Sequence, residues 1–154
     1  MTRTFRSRRL ALVGAVLVLG LSACGTSELP SIDYGKAECA YCRMNVMDEQ
    51  FAAAIVTQQG RTYAFDSPEC MVQHVAEGRI AEDQVRGWWV CDHARPGTLI
   101  DATTAQYLAA SSLNSPMNGN VAAFASATER TKAAAAHPGE ELDWPGARTR
   151  LTTH

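Results

Sequence analysis

Short apolar runs alternate with turn-forming clusters along this chain, and their spacing predicts small strands and capped helices. Phe51 to Thr57, FAAAIVT, stops at QQG, and RTYAFD follows from Arg61 to Asp66. Two such runs joined by a few residues with a glycine predict a β-hairpin. SPEC then supplies a helix start. Ser67 can cap it, Pro68 fits the first position and Glu69 suits the positive end of the dipole. The helix is predicted to run to about Glu77 and to stop at Gly78. Gly87 to Asp92, GWWVCD, reads as a strand, and Thr98 to Ala102 as another or its continuation. Thr103 to Ser112 has helical composition. LNSPMNGN is turn chemistry, VAAFAS reads as a strand, and SATE, Ser126 to Glu129, has the spacing of a capping box. That box opens an alanine-rich helix ended by His137-Pro138-Gly139. ELDW reads as a closing strand, and residues 146–154 as a frayed tail.

The elements amount to an α+β chain, and two of its stretches repeat. YAFDSPE and AAFASATE each pass from an apolar strand through Phe-x-Ser to a capped helix with an early glutamate. The shared idiom hints at internal duplication.

The start of the chain changes the charge picture. Arg3, Arg6, Arg8 and Arg9 precede LALVGAVLVLGL, Leu10 to Leu21, which is apolar, uncharged and shorter than a bilayer span. It ends in LSAC, Leu21 to Cys24, which resembles the bacterial lipobox. Residues 1–23 are therefore expected to be a lipoprotein signal peptide, with Cys24 lipidated at the head of the mature chain. Several acyl chains on one residue hold a protein at a membrane stably, so the expected location is a cell membrane, facing the periplasm or another extracytoplasmic space. The signal holds four of the fourteen basic residues and none of the sixteen acidic ones, leaving ten against sixteen and a formal charge of −6. No basic patch remains, which argues against a nucleic-acid partner. Residues 24–37, broken by Pro30 and Gly35, read as a flexible tether whose end can pack through Ile32 and Tyr34.

The chemistry lies in ECAYCRMNVM, from Glu38 to Met47. With Cys24 set aside, Cys39, Cys42, Cys70 and Cys91 remain. Two disulfides are the default in an exported chain, but a bridge closing only two residues removes little unfolded-state entropy. A redox CxxC opens a helix after a strand, and here a strand follows Cys42 with no such helix. Structural zinc wants four ligands. A second CxxC is absent, although Cys70 and His74 share one helix face and permit a Cys–Cys–Cys–His site; the plain alternatives are a buried Cys70 and a solvated His74. The methionines favour a softer ion. Cu(I) accepts thiolate and thioether at low coordination number, whereas zinc does not seek thioethers. Met44 lies beside the cysteines and is the better candidate, Met47 is expected in the core, and Met117 sits in an exposed-looking turn. A few sulfur ligands at a protein edge permit stepwise exchange with a partner, which suits a carrier and not an enzyme.

CAYCRM, the hairpin, YAFDSPECM, IDATTAQYL, SPMNGNVAAF and LDW, taken together, resemble the NosL family. Its members are lipoproteins accessory to nitrous oxide reductase, regarded as copper chaperones for the copper–sulfur centre. The resemblance implies Cu(I) binding and two related strand-strand-helix-strand units packed as one domain over residues 38–145. It implies a metal site of Cys39, Cys42, Met44 and Met117, with nitrous oxide reductase or another cuproprotein as copper acceptor. Arg43 and Asn118 stand where the family commonly has glycine. The main alternative is a TRASH- or YHS-like binding module holding zinc or sensing metal through Cys39, Cys42, Asp66 and Cys70. An enzyme similar to carbon–mercury lyases, with Asp66 as proton donor, is a third and weaker reading.

Overall fold

The computed structural model describes residues 29–153, so the signal peptide and the lipidation expected at Cys24 lie outside the described residues. The hairpin forms as predicted: β1 spans Ala53–Thr57 and β2 Thr62–Phe65, with Ala53 opposite Phe65. Gly60 turns the connection at φ +84°, a conformation glycine adopts without steric penalty. Helix α1 runs Pro68–Ala76, capped by Ser67, and ends where Gly78 takes φ +71°. Strand β3, Val85–Cys91, then pairs antiparallel with the free side of β1. β2 and β3 therefore run parallel with β1 between them, and β4, Leu99–Asp101, extends the sheet to the order β2-β1-β3-β4.

The second half repeats the plan. β5 (Gln106–Ala109) is flanked by β6 (Val121–Phe124) and β7 (Glu140–Leu142), in the order β6-β5-β7, and α2 (Ala127–Ala136) joins the two flanking strands. In both units the first strand lies between the next two, and the helix carries the chain from one side of it to the other. The fold is thus α+β, with two strand-strand-helix-strand units packed together. They are joined by a bridge between Asp92 and Ala123, where the His93 amide donates to the Ala123 carbonyl at 2.8 Å.

Two element assignments fail. Thr103 to Ser112 is not a helix but contains β5 and a short 3-10 turn at Ser111–Leu113. Its alanines have helical propensity, yet its side chains alternate. Tyr107 and Ala109 enter the main core, whereas Leu108 and Ala110 join a second cluster with Phe51 and Phe124. Burial on two faces at period 2 overrides propensity. The frayed tail is likewise replaced by α3, Trp144–Thr152, whose cap Asp143 accepts from the Gly146 amide at 2.9 Å. Trp144 anchors it by stacking on Tyr107 (5.8 Å between centroids) and meeting Trp88 edge-on (5.5 Å). Leu151 is buried as well, and the Gln73 side-chain amide of α1 donates to its carbonyl at 2.9 Å. At the other end, the last part of the expected tether belongs to the fold: Gly35 donates to the Val46 carbonyl and Val46 to the Ala37 carbonyl.

Candidate metal centre

Residues 38–45 fold back on themselves ahead of β1. A bridge joins Glu38 to Asn45, the Cys39 amide donates to the Met44 carbonyl at 2.8 Å, and the Arg43 amide donates to the Cys39 carbonyl at 3.0 Å. The turn requires a left-handed residue after the second cysteine, and Arg43 supplies it at φ +70°. Its guanidinium swings out to Glu38 at 3.0 Å. The Ala40 amide donates to the Ala64 carbonyl at 2.9 Å, which ties this loop to β2. β2 leads directly into α1, whose first turn carries Cys70, with the Cys70 amide held by the Ser67 hydroxyl oxygen at 3.3 Å.

This arrangement gathers three sulfurs. Those of Cys39, Cys42 and Cys70 all lie within 4.8 Å of one another. Cys39 and Cys70 are fully buried and Cys42 is half-buried, so the group reaches the surface through Cys42. The Cys70 thiol donates to the Cys39 sulfur, which holds Cys39 down to about 5 against the opposing effect of burial. The amides of Cys42, Asp66 and Tyr41 point at the same sulfur and help. The same thiol–thiolate contact, then burial, pushes Cys70 up. Burial pushes Cys42 up, although the Met44 amide opposes it. The contact thus favours the thiolate on Cys39 and the thiol on Cys70 and Cys42.

Several predicted residues fall elsewhere. Asp66 is buried beside Cys39, and burial followed by the neighbouring thiolate raises its carboxyl above the usual range. His74 is buried, not solvated, with its ring 5.2 Å from Phe65 and 5.8 Å from Tyr63. Neither Asp66 nor His74 joins the sulfur group. Met44 is 60% exposed at the mouth of the loop. Met47, expected in the core, is 66% exposed instead. Strand-like alternation after the bridge sends Val46 inward and turns Asn45 and Met47 out. Met117 is half-buried against the main core. Its turn is tight, with Asn118 at φ +62°, and it abuts α1: a Cβ on Gly119 would come 2.5 Å from a Glu69 carboxylate oxygen. Cys91 stands apart, its sulfur 3.1 Å from the Tyr34 hydroxyl.

Cys70 is the residue whose plain reading as a buried small hydrophobe misses most. The signal was present in the helix cap, which fixes Cys70 in the first turn of α1 immediately after β2. The Asp66 amide gave no signal, because its role depends on where the hairpin ends.

A family model for NosL matches residues 32–145. The chain belongs to the NosL family. Among solved structures, the copper chaperone NosL from Shewanella denitrificans is similar at a TM-score of 0.64 and 17% identity, covering 77% of this chain and 93% of that one. At that identity the likeness speaks for a shared fold. No curated protein matches in sequence. Two strand-strand-helix-strand units are thus a NosL architecture, and the three-sulfur group lies in the first of them.

Proposed function

We propose that the chain is a Cu(I) carrier, held to an extracytoplasmic membrane surface through lipid on Cys24, which passes copper to a cuproprotein. The observation that carries this reading is the convergence of Cys39, Cys42 and Cys70 at one edge of the fold. Three sulfurs satisfy Cu(I), which accepts low coordination numbers and soft donors. Zinc asks for four ligands, and the Asp66 carboxylate that would complete its set does not join the group. The copper is cargo, so the site must release it. Cys42 and the exposed thioether of Met44 offer the outer sulfurs to which an acceptor's ligands gain access first, while Cys39 and Cys70 hold from within. Met117, on the turn beside α1, is the further candidate for a thioether ligand. Membership of the NosL family supports nitrous oxide reductase, through its copper–sulfur centre, as the acceptor.

Anaerobic competition with a Cu(I) chelator tests the carrier reading. The expected result is one Cu(I) per chain, bound far more tightly than Zn(II), and weakened more than about a hundredfold by Cys70→Ser, since even supporting residues around a metal cost ten- to a hundredfold. Equal affinity for the two metals would overturn it. Incubation of the loaded chain with reductase lacking its copper–sulfur centre tests the acceptor: copper should transfer, and persistent failure would exclude that partner while leaving copper binding intact.

A further inference from the structure

Beside the metal loop, a cleft of about 360 Å³ opens between β2 and α1, and its lining includes Ala40, the residue between the two cysteines of the loop. Arg43, Arg61 and Arg79 line it against the single carboxylate of Glu38, with Tyr63 and the buried His74 between them. Three guanidinium groups in one cleft are a local reversal of charge on a mature chain carrying −6. Their commitments differ. Arg79 pairs with Glu77 at 2.9 Å and lies over the Tyr41 ring. Arg43 pairs with Glu38 at 3.0 Å, but both side chains are largely in solvent, so the pair is worth at most about 1 kcal/mol and exchanges readily. Arg61 lies 4.4 Å over the Tyr63 ring and has no acidic partner among the described residues. The stacking holds a planar donor fork at the rim, the geometry that takes a carboxylate through two parallel hydrogen bonds.

We infer that this cleft receives an acidic segment of the protein that exchanges copper with this chain, its carboxylates meeting Arg61 first and then displacing Glu38 from Arg43. The inference rests on the carrier reading, and it gives that reading a device for orientation. A carboxylate seated here brings its owner against the loop that carries Cys39 and Cys42. Complementary charge also raises the encounter rate and makes it sensitive to salt.

The test is an amide NMR titration of the reduced mature chain with a short acetylated Asp/Glu peptide, an Asn/Gln peptide of equal length and inorganic phosphate. The acidic peptide should give saturable shifts confined to residues 40–43, 61–64 and 74–79. Its affinity should fall with added salt and drop roughly tenfold in Arg61→Glu, and the Asn/Gln peptide should give no such shifts. Shifts elsewhere, equal affinity for Arg61→Glu, or occupancy by phosphate with none by the acidic peptide would overturn the inference, the last marking a site for a free oxyanion. Cu(I) affinity measured on the same Arg61→Glu variant should equal that of the parent chain. Lost peptide binding with intact copper binding thus separates failure of the docking cleft from failure of the metal centre.

Discussion

At the scale of single residues, the site is set by an unequal division of protons among three sulfurs. Cys39 is held down to about 5 by the Cys70 thiol and three amides, whereas Cys42 and Cys70 are pushed up. Metal binding needs all three as thiolates. At pH 7, uptake of Cu(I) should therefore release about two protons, measurable by calorimetry in buffers of different ionisation enthalpy. Below about pH 5 Cys39 also becomes protonated, release should approach three, and affinity should fall more steeply with acid. Release of three at pH 7 would mean that no thiolate is preformed. Arg43 makes a second point at this scale. Its φ of +70° costs roughly 1 kcal/mol for a residue with a Cβ, set against an exposed pair with Glu38 that contributes little. Arg43→Gly should leave stability unchanged or raise it by up to about 1 kcal/mol in urea denaturation. A clear loss would show that the Glu38 pair matters to the fold.

At the scale of elements, most of what positions the metal site was legible. The hairpin with Gly60, the Ser67 cap with Pro68 behind it, and the Ser126 capping box all act locally, and local chemistry is what a sequence displays. Ser126 accepts from the Glu129 amide at 3.2 Å, as the spacing predicts, while the Glu129 carboxylate accepts from the Ser126 hydroxyl at 3.1 Å, where a capping box has the cap's backbone amide. What was hidden depended on distant partners. β5 looked helical because its alternation becomes visible only once two different cores lie on its two faces. α3 looked frayed because its sequence is largely polar and buries only Trp144, Ala147 and Leu151. Met47 could be assigned to the core only while the Glu38–Asn45 bridge, which sets the alternation, was unseen. Ser67 offers a test of how an element serves the site. Ser67→Ala should cost about 1 kcal/mol of stability. It should also weaken Cu(I) binding, because the cap fixes the turn that carries Cys70. Unchanged affinity would show that Cys70 is held by packing alone.

At the scale of the whole molecule, two similar units have different uses. The first carries the sulfurs, and the second supplies a sheet whose one face completes the main core while α2 covers the other. Trp144 ties the units together, between Trp88 of β3 and Tyr107 of β5. Trp144→Ala should cost about 3–5 kcal/mol, read from urea denaturation. A loss below about 1 kcal/mol would mean that α3 is peripheral to the core. No described helix is long and apolar enough to cross a membrane. The proposed lipid on Cys24 would leave the loop of Cys39 and Cys42 a short distance along the chain from the membrane surface.

The central claim is that Cys39, Cys42 and Cys70 hold Cu(I) together. X-ray absorption at the copper edge of the Cu(I)-loaded chain, compared with Cys70→Ser, tests it most directly. A coordination shell made of sulfur is expected in the parent chain, and a shell altered in number or distance in the variant. A shell containing nitrogen or oxygen in the parent, or one that Cys70→Ser leaves unchanged, would contradict it.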